Sequence, residues 1–272
     1  MKFLPLHPDI KRHVDHFWVV KDSQSLFGAS PPLHEFPGLS PELIFVLDGY
    51  YTISYQGTKE RVTDNKLYSF IHQEVIIDLS TLSSFAIVRF KPRNLSSLLP
   101  FIKERAEDVM RNPVFRADIV FTDRINQLTR HLRGQPAATI ALELEGFLLD
   151  HFMAEREGFL SELSGTLPAG GSPQEIMART NYSYSTLERH FKRDTGLTPK
   201  KYQVIRRFRL AVNELYDTGN TDWLYYVEKY GYFDQSHFIK EVKRYTGFTP
   251  GQILRHPGLH FYRPKKTDEF LQ

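Results

Sequence analysis

The pattern of hydrophobic and polar positions changes its period about one third of the way along the chain. Up to residue 100, short stretches rich in Val, Ile, Phe and Tyr alternate with turn clusters such as Asp48-Gly49 and Gln56-Gly57. Four such stretches lie at residues 42–47, 50–56, 75–79 and 85–90. Short strands at this spacing are typical of a β-sandwich or a small barrel.

Beyond Pro100 the apolar positions take on a helical spacing. Ile140, Leu144, Phe147 and His151 follow one another at intervals of three and four residues. This is the pattern of a helix with one buried face. We therefore expect two or three helices in residues 101–153, which complete an N-terminal domain of residues 1–153.

A second, purely helical domain is expected over residues 154–258, followed by a tail of residues 259–272. A short helix at residues 159–163 opens this domain, ahead of a glycine-rich loop at residues 165–171. The α+β fold predicted for the whole chain is thus a barrel-like, cupin-like N-terminal domain with a helical segment, and an all-α C-terminal domain.

Capping residues predict where the C-terminal helices begin. Ser172, Pro173 and Glu175 have the spacing of a capping box, which starts a helix. The sequence Asn181-Tyr-Ser interrupts that helix, and Ser183 is placed to cap the next one. A helix, a tight turn and a second helix are therefore expected.

Two nearly identical nine-residue sequences occur in this domain. FKRDTGLTP fills residues 191–199, and VKRYTGFTP fills residues 242–250, an offset of 51. In each copy Thr-Gly ends a helix and Thr-Pro begins another. Each copy therefore closes one helix-turn-helix unit, and a helix at residues 200–216 joins the two. Gly231 and Asp234 bound the second turn, which is one residue longer than the first.

Charge is distributed unevenly between the halves. Residues 1–167 carry 18 Lys and Arg against 21 Asp and Glu, whereas residues 168–272 carry 17 against 11. A basic C-terminal half indicates a polyanionic partner such as nucleic acid. The chain has no cysteine, which excludes disulfides and thiolate metal sites. It shows neither a signal peptide nor a membrane-spanning stretch, so a cytoplasmic location is expected.

Residues 172–254 resemble the DNA-binding domain of the AraC-type (AraC/XylS) transcription regulators. The resemblance rests on GYFDQSHFIKEVKRYTGFTP, residues 231–250, and on SYSTLERHFKRDTGLTPK, residues 183–200. LPLHPDIKRHVDHFWVV and FAIVRFKP, near the start, resemble a β-rich sensor-like domain in a poorly characterised branch of that family. The family usually has a small residue where Met177 and Val227 stand, and a turn glycine where Asn181 stands. The resemblance implies a regulator of transcription that binds double-stranded DNA. A small-molecule effector, a second copy of the chain and RNA polymerase are candidate partners.

Helical projection separates the outward positions of each second helix from its buried ones. Arginine and lysine suit guanine, glutamine suits adenine and glutamate suits cytosine. The predicted base-reading residues are Ser185, Glu188, Arg189, Gln235, Ser236, His237 and Lys240. The predicted phosphate contacts are Lys192, Lys201, Arg206, Arg207, Lys243 and Arg244. Each of these side chains also has a simpler interpretation, as a solvated surface group or, for His237, as a local helix-start contact.

The N-terminal domain offers a weaker set of candidates. Asp48, Tyr50, Tyr51 and Tyr55 are candidate lining residues of a small-molecule pocket, or else strand residues that pack on a sheet. The sequences His34-Glu35 and His72-Gln73-Glu74 suggest a metal, but their spacing fits no cupin motif, and structural histidines are the preferred interpretation. We predict no metal, no cofactor and no catalytic group.

The sequence alone leaves three functional hypotheses. The first is a sequence-specific regulator with a sensing or dimerising N-terminal domain. The second is a cupin-like metal-dependent enzyme with an accessory helix-turn-helix module. The third is an architectural DNA-binding protein without sequence selectivity. The duplicated helix-turn-helix and the basic C-terminal half favour the first.

Overall fold

The structure of this chain is a computed structural model that describes nine segments of it. These are residues 1–23, 33–35, 38, 40–55, 57–69, 75–91, 114–152, 172–195 and 197–255. The predicted domain boundary at residue 153, the helix at residues 159–163, His72 to Glu74 and the C-terminal tail lie outside these residues.

Two antiparallel sheets are present in the described residues of the N-terminal domain. The larger sheet has the order β1-β2-β9-β4-β7-β10 and the smaller has the order β3-β8-β5-β6. The strands are β1 (Lys2–Phe3), β2 (Val14–Val20), β3 (Leu33–Glu35), β4 (Glu42–Gly49), β5 (Tyr51–Tyr55), β6 (Thr58–Val62), β7 (Lys66–Tyr68), β8 (Val75–Asp78), β9 (Leu82–Phe90) and β10 (Val114–Arg116). The four stretches predicted from the sequence are thus confirmed as β4, β5, β8 and β9.

The larger sheet is buried on both faces. Along β4, Leu43 and Phe45 pack into one apolar cluster, whereas Ile44 and Val46 pack into a second cluster shared with the smaller sheet. Strands β2 and β9 divide their side chains in the same way. Because successive side chains of a strand point to opposite faces, a strand covered on both sides is apolar without alternation. This explains the continuous runs in β4 and β9.

Four helices lie in the described part of the N-terminal domain, and buried residues of all four join the cluster on the outer face of the larger sheet. They are α1 (Pro8–His13), α2 (Asp118–Phe121), α3 (Arg124–Leu132) and α4 (Ala137–Phe152). Ile10, Ile125, Ile140 and Leu144 are fully buried in the same cluster as Phe45. Glu145 on α4 accepts hydrogen bonds from the amides of Leu6 and His7 at 2.8 and 2.6 Å, which fixes the first segment of the chain to this helix.

Six helices follow in the described part of the C-terminal domain. They are α5 (Pro173–Thr180), α6 (Tyr184–Thr195), α7 (Pro199–Thr218), α8 (Trp223–Tyr230), α9 (Gln235–Thr246) and α10 (Pro250–Ile253). The capping box of Ser172 and Glu175 is present, and Thr198 and Thr249 cap the helices that follow the two repeated sequences. The helix starts predicted from the capping residues are confirmed to within one residue.

The smaller sheet ends at an edge strand that the sequence does not reveal. Strand β6, with the sequence TKERV, exposes its first four residues and buries only Val62. Such a charged stretch has no strand-like periodicity of its own and becomes a strand by pairing with β5.

Among the helices of the described residues, none combines the length and the apolar character of a transmembrane segment.

Candidate nucleic-acid interface and ligand site

The two helix-turn-helix units consist of α5 with α6 and of α8 with α9. Each turn begins at a residue in the left-handed conformation, Asn181 (φ 55°) in the first unit and Gly231 (φ 69°) in the second. Asparagine is one of the few residues that tolerates this conformation, which is how it replaces the glycine. The Oγ of Ser183 accepts from the amide of Thr186 at 3.2 Å, and the carboxylate of Asp234 accepts from the amide of His237 at 2.6 Å. Both predicted caps are confirmed.

The second helix of each unit, α6 or α9, is the one that would enter a DNA groove and is called the recognition helix. Both recognition helices bury one face and expose the other. Leu187 and Phe191 of α6, and Phe238 and Val242 of α9, have at most 1% of their surface exposed. The predicted base-reading residues lie on the opposite side: Ser185, Arg189, Gln235, Ser236 and Lys240 are exposed, and Glu188 and His237 are partly buried. Most of the predicted base-reading side chains are therefore accessible from solvent, as contact with DNA requires. Their contacts with bases stay a prediction.

Two of these side chains already have partners within the protein. The carboxylate of Glu188 forms an ion pair with Lys192 one turn later, at 2.6 Å. The Nδ1 of His237 accepts from the backbone amide of Phe233 at 3.2 Å, and its Nε2 lies 3.6 Å from a carboxylate oxygen of Glu241. His237 thus makes the local helix-start contacts that were its simpler interpretation.

The joining helix α7 holds the second recognition helix through a buried ion pair. Arg207 donates from Nε and Nη2 to the two carboxylate oxygens of Glu241, at 3.2 and 2.5 Å. Its Nη1 donates to the carbonyl of Gly231 at 3.3 Å, and its guanidinium lies 4.3 Å above the ring of Tyr232. The side chains of Arg207 and Glu241 are only 16% and 8% exposed. Sequence reasoning assigned Arg207 to phosphate, whereas the structure places its guanidinium between helices.

The same helix α7 holds α8 through a second carboxylate. Glu214 accepts from the hydroxyls of Tyr225, at 2.7 Å, and Tyr230, and from Nζ of Lys229 at 2.6 Å. Burial raises the pKa of Glu214, but the hydrogen bonds from Lys229, Tyr230 and Tyr225 outweigh it and lower the pKa to about 2. Arg207 and Glu214 together fix both helices of the second unit on α7.

Two of the predicted phosphate contacts lie near one another in space. Lys201 lies in the first turn of α7, and Arg244 lies in the last turn of α9. Burial lowers the pKa of Lys201, and the positive charge of Arg244 lowers it further. A bound anion that contacts both side chains would offset the repulsion between their positive charges. Lys243 is exposed and Arg206 is partly buried.

The four residues of the predicted ligand pocket are spread over different surroundings. Tyr51 is fully buried between the sheets, where its hydroxyl accepts from the hydroxyl of Tyr68 at 3.1 Å. Tyr50 lies under the guanidinium of Arg61, which is 3.7 Å from the centre of its ring. Asp48 is exposed, and Tyr55 is partly buried against the apolar cluster that the larger sheet shares with the smaller sheet. Of the four, Tyr51 alone lies fully inside the domain.

A row of polar side chains crosses the inner face of the larger sheet. In the strand register His16 lies opposite Arg89, Arg89 opposite Glu42, and Glu42 opposite Tyr68. Arg89 donates to Glu42 at 2.8 Å, and their side chains are 19% and 9% exposed. By strand alternation this row shares its face with Ile44 and the rest of the inner apolar cluster. Sequence inspection missed the row because it becomes visible only when the register is known.

Comparison with known proteins identifies the C-terminal domain. Residues 176–256 match the family model described as a helix-turn-helix domain. This match confirms a helix-turn-helix domain in the part of the chain whose sequence resembles the AraC-type regulators. The β-rich N-terminal domain that precedes it completes the α+β fold predicted from the sequence. Among the described residues, no group of three or more His, Cys, Asp or Glu side chains could hold a metal ion.

Individual relatives cover different shares of the chain. Over 104 residues the chain is 31% identical to the uncharacterized HTH-type transcriptional regulator YidL of Escherichia coli (strain K12), which is 38% of this chain and 35% of that protein. The match therefore spans about a third of this relative. Apo ToxT from Vibrio cholerae strain SCE256 is similar in structure, with a TM-score of 0.47, 9% identity and coverage of 88% of this chain and 96% of that chain. Unsaturated fatty acid bound wild-type ToxT from the same strain gives a TM-score of 0.43, 11% identity and coverage of 88% and 94%.

Breaking the ion pair between α7 and α9 should destabilise the second unit. Replacing Glu241 with Gln removes one charge and leaves the buried guanidinium of Arg207 uncompensated, so we expect a loss of about 3 kcal/mol in the free energy of unfolding. Glu188→Gln is the matched control, because its pair with Lys192 is more exposed and contributes less than about 1 kcal/mol. Urea unfolding followed by Trp223 fluorescence, in a Trp18→Phe background, measures both. Equal losses in the two variants would contradict the assignment.

The carboxylate of Glu214 should make stability depend on acid pH. Its pKa in the folded chain, about 2, lies below that of an unfolded glutamate. The stabilisation is therefore complete above about pH 4.5 and is lost as the pH falls towards 2. We expect Glu214→Gln to melt at a lower temperature than the wild type at pH 6, and the difference between them to shrink on acidification. Thermal scans from pH 6 to 2 test this, and a constant difference would show that Glu214 is not the titrating group.

Proposed function

We propose that this protein is a sequence-specific, DNA-binding regulator of transcription that reads two adjacent segments of one duplex. The observation that carries the proposal is the pair of recognition helices with exposed polar faces, both joined to the single helix α7. An α-helix fits the major groove, and successive major-groove turns on one side of DNA lie about 34 Å apart. A regulator acting on DNA would work in the cytoplasm of a bacterial cell.

Each recognition helix supplies its own base contacts in this proposal. Arg189 is exposed and suits guanine, with Ser185 and Glu188 beside it on α6. On α9, Gln235 suits adenine and Lys240 suits guanine, and Ser236 contributes a further polar contact. His237 supports the start of α9 through its bond to Phe233 and reaches the DNA only with its outer edge.

Phosphate contacts would surround these base contacts. Lys201 and Arg244 are neighbouring cations that one phosphate could contact together, and Lys243, Lys192 and Arg206 extend the basic surface. We assign Arg207 to positioning α9 rather than to phosphate, because Glu241 and Gly231 already engage its guanidinium. Contacts of this kind fix the register on DNA without reading sequence.

The first experiment is selection of binding sites from random duplexes with the full-length protein at a stated salt concentration. We expect an enriched site with two informative blocks about 10 to 11 base pairs apart, centre to centre. Binding without enrichment, but with steep salt dependence, would favour the architectural alternative. Metal analysis of the purified protein tests the enzyme alternative.

Base contacts and phosphate contacts should respond differently to mutation. Arg189→Ala is expected to cost about 1–3 kcal/mol of binding free energy and to relax selectivity at one base pair. Arg206→Ala should weaken binding to all sequences alike and reduce the slope of log K against log salt by about one unit. Fluorescence anisotropy over a salt series, on the selected site and on single-base variants, measures both effects. If the two variants behave alike, Arg189 does not read a base.

The N-terminal domain, we propose, binds a small effector at the polar row of His16, Arg89, Glu42 and Tyr68. A buried ion pair is seldom more stable than apolar side chains of the same size, so an Arg–Glu pair inside an apolar cluster calls for another explanation. The row presents both donors and an acceptor, which suits a small polar molecule that can donate and accept hydrogen bonds. A second copy of the chain and RNA polymerase remain candidate partners of the regulator.

The effector proposal separates two locations within the domain. In a thermal-shift screen of hydroxylated and carboxylated metabolites, we expect any stabilising compound to lose its effect in Arg89→Gln. It should keep its effect in Arg61→Gln, which changes an exposed arginine beside Tyr50. The opposite result would place the site near Tyr50 and the other residues first suggested by the sequence.

A further inference from the structure

The second helix-turn-helix has one residue more in its turn than the first, and that residue is a phenylalanine. In the first unit, Asn181 and Ser183 are separated by one residue, whereas Gly231 and Asp234 are separated by two. Both pairs have the same roles, a left-handed residue that ends one helix and a cap that begins the next. The additional position lies directly before the cap of α9 and is filled by Phe233.

Phe233 is unusually exposed for a large apolar side chain. Its side chain is 89% exposed, the largest value among the exposed large apolar side chains of the described residues. The preceding residue, Tyr232, performs the packing task of this turn: it is 5% exposed and lies edge-on against Phe238, with ring centres 5.1 Å apart. In the described residues Phe233 is tied to the fold by its backbone amide, which donates to His237. Its ring therefore contributes nothing to the core.

The first unit treats its aromatic residue differently. Tyr182 stacks on His190 of its own recognition helix, with ring centres 5.3 Å apart and planes 14° from parallel. Its exposed fraction is 38%, less than half that of Phe233. The contrast between the two units shows that exposure of an aromatic ring is not a general consequence of the turn. It is a property of the second unit.

The position of Phe233 limits what it can contact when α9 lies in a groove. The first residues of a recognition helix approach the base edges, and Gln235 and Ser236, two and three positions later, are both exposed. A ring directly before the cap stands where the helix enters the groove. The apolar group that DNA offers in the major groove is the 5-methyl of thymine, which accepts contacts from apolar side chains.

We propose that Phe233 is a specificity-determining residue that packs against a thymine methyl in the DNA segment read by α9. The inference rests on the proposed DNA-binding function and adds a contact that hydrogen-bonding side chains do not supply. It also makes the two halves of the binding site unequal, because the ring of Tyr182 is already stacked on its own helix. The half read by α9 gains a thymine preference that the half read by α6 lacks.

The test uses the full-length protein and its selected duplex. Each thymine of the block assigned to α9 is replaced in turn by uracil, which removes only the methyl group. We expect one position at which uracil weakens wild-type binding about 3- to 10-fold, as loss of one buried methyl contact predicts. Phe233→Ala should bind the thymine duplex more weakly by at least that factor, and uracil at that position should have no further effect on it.

Two controls accompany the experiment. Leu224→Ala removes another exposed apolar side chain, 49% exposed and located on α8, and should leave both the affinity and the uracil response unchanged. Because Phe233 lies outside the core, Phe233→Ala should melt at the wild-type temperature, so a loss of affinity cannot come from unfolding.

Three results would overturn the proposal. If no uracil position affects the wild type, the methyl is not contacted. If Phe233→Ala retains the full uracil response, another residue makes the contact. If Phe233→Ala binds DNA normally but activates or represses transcription poorly in a purified system, the ring is a contact for a protein such as RNA polymerase. If the proposed DNA-binding function is wrong, the wild type selects no site at all. That result differs from the three above and removes the thymine contact together with the function.

Discussion

The second helix-turn-helix unit is fixed by a buried ion pair that joins it to the helix between the units. Arg207 reaches from α7 to Glu241 on α9, and the same guanidinium covers Tyr232 and caps the carbonyl of Gly231. One side chain thus fixes the recognition helix, the turn before it and the ring that supports the turn. With Glu214 holding α8 in addition, the second unit is attached to α7 at both of its helices.

This arrangement explains how charge is divided in the C-terminal domain. The charges that hold the fold are inside, partnered and close to α7, whereas Arg189 and Lys240 are exposed on the recognition helices. Desolvating a charge is costly, and the buried carboxylates of Glu241 and Glu214 are each held by several donors. The exposed ones keep their hydration and can exchange it for contacts with bases or phosphates. A count of basic residues cannot distinguish these two groups.

Local features of the sequence predicted the C-terminal domain well. Caps and helix ends depend on a few neighbouring residues, so the two repeated sequences and the capping box at Ser172 placed the helices correctly. Partners far apart in sequence were not accessible: Arg207 and Glu241 are 34 positions apart. The polar row of the larger sheet needs the register of four strands, and Phe233 needs both the turn length and its exposure. Strand β6 was missed because pairing, rather than periodicity, makes it a strand.

The edge strand β6 also bears on how two copies of this chain can meet. An open sheet edge presents unpaired backbone groups to any other extended segment, and proteins commonly protect such edges with charged side chains. Lys59, Glu60 and Arg61 occupy the centre of β6 and are all exposed. A second copy that extended the sheet there would have to align these charges with its own. This edge of the smaller sheet is therefore unfavourable for strand pairing between two copies.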